Sequence, residues 1–105
     1  WLANLAKPAG LRYSDLAIKN QRTRWGSCST TGRISLNCKL LFLPRDLVRY
    51  VIWHELCHLL EPNHSDRFWM HLRHFEPAAD SLHGRMHDAW KAVPSWAQRG
   101  VGLVL

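Results

Sequence analysis

The sequence predicts an α+β domain, in which a small, mostly antiparallel sheet packs on a central helix and further helices follow. Three observations carry that expectation. Apolar and polar residues alternate from Ile34 to Leu40, the period of a half-buried strand. From Leu47 to Leu60 the apolar residues instead point in nearly every direction around a 3.6-residue period, as in a helix buried on most sides. Two more stretches with helix punctuation follow it, "SDRFWMHLRHF" and "SLHGRMHDAWKAV".

Taken in order, residues 1–10, "WLANLAKPAG", join helix formers to a Pro-Ala-Gly stop and read as the tail of an upstream helix. Leu16 to Lys19 is expected as a strand. "QRTRWGSC" is the returning arm of a hairpin whose turn is "STTG" and whose other arm is the alternating stretch from Ile34. Pro44 opens the central helix, where a missing N–H does no harm, and Asp46 in its first turn suits the helix dipole. That helix must stop before Pro62, with "EPN" as its exit turn. Ser65 is a natural N-cap for the next helix, which ends near Pro77, and the last helix spans 81–93.

Composition bounds the function. A chain of 105 residues is one domain, read over 1–105, and 47% hydrophobic residues with six tryptophans argue for a folded core. The chain starts at Trp1 without a methionine and reads as the C-terminal part of a longer protein. No apolar run approaches the length of a membrane span, so no membrane partner is expected. Three cysteines with no C-x-x-C pair read as reduced core thiols of a cytoplasmic protein. The net charge of +6 admits a polyanion or nucleic acid as partner, but the arginines are scattered from Arg12 to Arg99 without a dense block.

The chemistry lies in "YVIWHELCHLLEPNHSDRFW", residues 50–69. On a helix, His54 and His58 stand one turn apart on one face and can hold a single ion from the same side. Glu55 points about 100° away, too far round to join them but placed to reach a water beside the ion. This is the mechanical content of H-E-x-x-H, two ligands and a general base. With seven histidines and three glutamates, the pattern is expected by chance about 0.01 times in such a chain. A buried helix carrying these groups would also be unstable without something to compensate them. A catalytic zinc takes three protein ligands and leaves one position open. His64, ten residues after His54 and just past the Pro62 turn, is the expected third ligand. Glu76, 18 residues after His58, is the alternative. His71, His74, His83 and His87 read as surface residues or as supports behind the ligands.

Together with "RWGSCSTTGRISLNCKLLFLP", this stretch resembles the YgjP-like family of small zinc metallopeptidase domains, relatives of the SprT-like and WLM-like proteases. The resemblance covers about residues 15 to 75. It implies a minimal zincin fold, one Zn2+ ion on His54, His58 and His64, and Glu55 as general base. Asn63, Ser65, Phe68 and Trp69 match the framework after the third ligand, whereas "HGRMH" departs from the pattern and nothing is carried over there.

In zincin-like enzymes an extended substrate adds to an edge strand beside the active-site helix. Arg24 to Cys28 and Ile34 to Leu40 are the two candidates for that edge. Arg24, Trp25 and Gly26 are accordingly read either as substrate contacts or as core and pairing residues, with Gly26 admitting a close backbone approach. Tyr50, Arg24 and several of the histidines are candidate donors to the transition state, and the sequence does not choose among them. The leading expectation is a zinc-dependent peptidase acting on a peptide or protein. A metal-dependent phosphohydrolase acting on nucleotides and a nucleic-acid-associated protease module are the alternatives. A purely structural zinc site fits poorly, because three ligands leave an open position.

Overall fold

The computed structural model describes residues 2–20 and 24–94; Gln21 to Thr23, the start of the expected returning arm, lie outside them. After a short helix α1, Leu2–Ala6, come the strands β1, Asp15–Lys19, β2, Gly26–Cys28, and β3, Arg33–Asn37. Three helices follow, α2, Arg45–Cys57, α3, Asp66–Phe75, and α4, Ala79–Met86, with 3-10 turns at Cys38–Phe42 and Ala89–Ala92.

The sheet has the order β1-β3-β2. β2 and β3 form the expected antiparallel hairpin, with Ser27 opposite Ser35. Its turn closes through Ser29, whose Oγ accepts from the Arg33 N–H at 3.0 Å. Gly32 takes the left-handed φ of +85° that a side chain would resist. β1, however, runs parallel to β3, pairing Leu16 with Ile34 and Ile18 with Leu36. The sheet is therefore mixed rather than mostly antiparallel. The physical reason is that β3 takes the middle, with β1 paired to one of its edges and β2 to the other. Lys39, just past β3, donates from Nζ to Asn20 Oδ1, just past β1, at 2.8 Å.

β3 also ends three residues before the expected Leu40. Asn37 stops it by using its side chain on the backbone, Oδ1 accepting from the Lys39 N–H at 2.9 Å and Nδ2 donating to the Arg24 carbonyl at 2.8 Å. The strand is covered on both faces, with Ser35 and Asn37 buried beside Ile34 and Leu36, so the polar face expected from alternation is not exposed to water.

α2 runs through the centre. Every residue from Tyr50 to Cys57 is buried, because the helix touches α1, β2, β3, α3 and α4 on its different sides. It begins after Pro44, and the Asp46 carboxylate in its first turn accepts from the Leu47 N–H at 2.8 Å. At its other end the Leu59 and Leu60 amides bond three residues back, to Leu56 and Cys57, tightening the last turn before Pro62. α3 packs on α2 through Trp53 and Phe75, stacked at 4.6 Å and 4°. The expected helix over 81–93 is two pieces: α4 ends in a tightened turn at His87, and the chain restarts as a 3-10 turn at Ala89.

Candidate metal centre

His54 and His58 lie on α2 with ring centroids 5.2 Å apart. The third imidazole arrives by a short return: Glu61 to His64 leave the helix end, and Ser65 caps α3 by accepting from the Phe68 N–H at 3.4 Å. His64 is thereby fixed one residue before a capped helix. Its centroid lies 5.0 Å from that of His54 and 4.8 Å from that of His58. One ring nitrogen from each of the three lies within 4.8 Å of the others. Phe68 forms the floor beneath all three, its centroid 4.6 to 5.0 Å from each ring.

Hydrogen bonds orient the rings. His58 Nδ1 donates to the Glu61 carbonyl at 3.1 Å, leaving Nε2 as the basic nitrogen. That nitrogen lies 3.1 Å from His64 Nε2. His54 Nδ1 is 3.1 Å from Glu55 Oε2, and an ionised carboxylate can only accept, so Nδ1 carries the proton here and Nε2 is left basic. Both His54 and Glu55 are 2% exposed. Burial lowers the pKa of His58 and of His64, and in His64 the charge of His54 and His58 adds to it. Two neutral imidazole nitrogens facing each other in this way match a shared cation. Nitrogens in one tetrahedral zinc shell stand about 3.3 Å apart. The donor set therefore fits a zinc-type ion.

Glu55 packs close to the strand side. A Cβ on Gly26 would come within 3.0 Å of Glu55 Cγ and 3.2 Å of Oε2, so the carboxylate occupies the space that a side chain on β2 would take. Glu76, the alternative ligand, is instead paired with Arg49 and closes the contact between α2 and the end of α3. Trp25 is buried in the core and Arg24 is exposed, while its carbonyl is held by Asn37. Tyr50 is fully buried, and its hydroxyl lies 2.8 Å from His83 Nδ1 on α4. The sequence does not show that pairing, because 33 residues separate the two and no spacing rule joins them. The cysteines stand apart from the centre's chemistry: burial, then the Glu55 charge, pushes the Cys28 thiol up to about 11 and Cys57 up to about 12. Both remain protonated thiols at neutral pH, and the cysteines are free.

Among the described residues no helix is long and apolar enough to cross a membrane. No curated protein matches the chain. The fold is shared with two solved metallopeptidase zymogens. Abylysin of Pyrococcus abyssi superposes with a TM-score of 0.71 at 21% identity, over 99% of this chain and 100% of that one. Jannalysin of Methanocaldococcus jannaschii gives 0.68 at 23%, over 81% and 88%. The family model of the YgjP-like metallopeptidase domain matches residues 1–89, a span that holds the sheet, α2 with its histidines and both following helices, and the chain belongs to that family.

Proposed function

We propose that the domain is a zinc-dependent peptidase in which His54, His58 and His64 hold one zinc ion and Glu55 is the general base. The observation that carries this reading is the convergence of three imidazole nitrogens within 4.8 Å, with a buried carboxylate beside them and outside the set. Zinc on three neutral imidazoles supplies Lewis acidity, which makes water nucleophilic near neutral pH and polarises a peptide carbonyl. Glu55 accepts the proton of the attacking water and delivers it to the leaving amine nitrogen. The missing side chain at Gly26 leaves the room that its carboxylate occupies beside β2.

The substrate lies extended along β2. Of the two strands considered for that role, β3 is flanked on both sides, whereas among the described residues β2 pairs with β3 alone and packs against α2. Its outer edge therefore offers backbone donors and acceptors to a peptide. A phosphate ester or nucleic acid draws less support, since Arg33, Arg49, Arg73 and Arg85 are each paired with a carboxylate. Glu55→Gln tests the assignment: zinc content stays at one per chain and peptide hydrolysis falls at least about 100-fold. A fully active variant contradicts it.

A further inference from the structure

Peptide hydrolysis places negative charge on the carbonyl oxygen, and a preorganised donor aimed there is worth a large part of the rate. Tyr50 lies one turn before His54 on the same face of α2, and it is fully buried. Burial, reinforced by the Asp80 and Glu55 charges, raises its pKa, so the hydroxyl keeps its proton. Among the described residues, the one hydrogen-bond partner of that hydroxyl is His83 Nδ1 at 2.8 Å. A buried O–H needs an acceptor. His83 Nδ1 therefore accepts, and the ring hydrogen of a neutral His83 sits on Nε2.

The ring is also held edge-on by Trp69, with centroids 5.0 Å apart at 83°. His83 itself is exposed, unlike Tyr50. It adjoins the centre through Tyr50, whose ring centroid lies 6.0 Å from that of His83 and 6.1 Å from that of His54. Held by Tyr50 and Trp69, an exposed imidazole with its hydrogen on Nε2 thus stands one ring away from the histidine cluster. Tyr50 cannot make such a contact, being buried with its proton committed.

We propose that His83 donates from Nε2–H to the oxygen that becomes negative during peptide hydrolysis, and that Tyr50 is the positioning residue that fixes its tautomer and orientation. This rests on the peptidase reading above. A structural role alone, in which His83 only satisfies the Tyr50 hydroxyl, makes different predictions.

The test has two arms. In histidine-labelled protein, nitrogen NMR finds His83 with Nδ1 unprotonated and Nε2 protonated, with or without zinc, and Tyr50→Phe turns this into a tautomer mixture. With zinc-loaded protein and internally quenched peptides, His83→Ala lowers kcat about 100-fold, while KM stays within about threefold and zinc content is unchanged. Tyr50→Phe lowers kcat about tenfold, and the double variant is no slower than His83→Ala alone, because the two act as one unit. An Nδ1–H tautomer overturns the proposal whatever the kinetics. So does a His83→Ala enzyme within about twofold of the parent in kcat while Glu55→Gln is dead. Full activity in Glu55→Gln is a different failure, which overturns the peptidase reading and the His83 role with it.

Discussion

At the scale of single residues, Glu55 sits in a narrow slot between its neighbour His54 and the backbone of Gly26. The slot exists because residue 26 has no side chain: a methyl there would meet Glu55 Cγ at 3.0 Å and the Ser35 carbonyl at 3.2 Å. Backbone on one side cannot yield, so the carboxylate must. Gly26→Ala is expected to lower peptide hydrolysis by about 10- to 100-fold with zinc content unchanged, measured on folded, zinc-loaded protein. Retention of parental activity would mean the carboxylate position is not set by that slot. The histidines make a second residue-scale prediction. His58 and His64 titrate lower in the folded state than in the unfolded chain, so below the ordinary imidazole pKa of about 6.5 the unfolded state binds more protons. Their effect is absent above that pH and destabilises the metal-free domain as pH falls. The melting temperature of metal-free protein is expected to drop between pH 7.5 and 5.5, and to drop less in a His58→Gln, His64→Gln variant. An equal slope in both would remove these two groups as the cause.

Elements bring these residues together through their ends. His58 is the C-cap of α2 and His64 directly precedes the N-cap of α3, so two of the three imidazoles depend on helix termini. Ser65→Ala removes the cap bond and is expected to cost about 1 kcal/mol of stability. It should also weaken zinc affinity, because His64 loses its anchor; titration with a competing chelator measures this. Phe68→Ala, which empties the floor under the cluster, is expected to cost about 3–5 kcal/mol in chemical denaturation. These ends were legible in the sequence. Pro44, Pro62 and Ser65 act through local backbone rules, and a rule that needs only neighbours can be read from neighbours. The premature end of β3 was not legible, because Asn37 leaves the strand by holding the Arg24 carbonyl, a partner 13 residues away.

At the scale of the whole molecule, the fold class followed from periodicity, but strand order did not. Alternation marks β3 and the turn beside it marks β2, without saying which strand takes the middle, and the parallel pairing of β1 with β3 joins residues distant in sequence. The same limit hid the Tyr50–His83 pair, since α4 reaches α2 only once the helices have packed. The histidine cluster was readable because its parts lie within eleven consecutive residues, His54 to His64, bound by one helical turn and one proline-directed return. Glu76 was a reasonable competitor in the sequence; here it pairs with Arg49, a partnership no spacing rule identifies. The most direct measurement of the central claim is anomalous diffraction at the zinc edge from zinc-loaded crystals. The account predicts one peak per chain, about 2.0–2.1 Å from nitrogens of His54, His58 and His64, with Glu55 outside the bonded shell. A peak bonded to Glu55, Glu76 or a cysteine sulfur, or no peak at the three histidines, would contradict it.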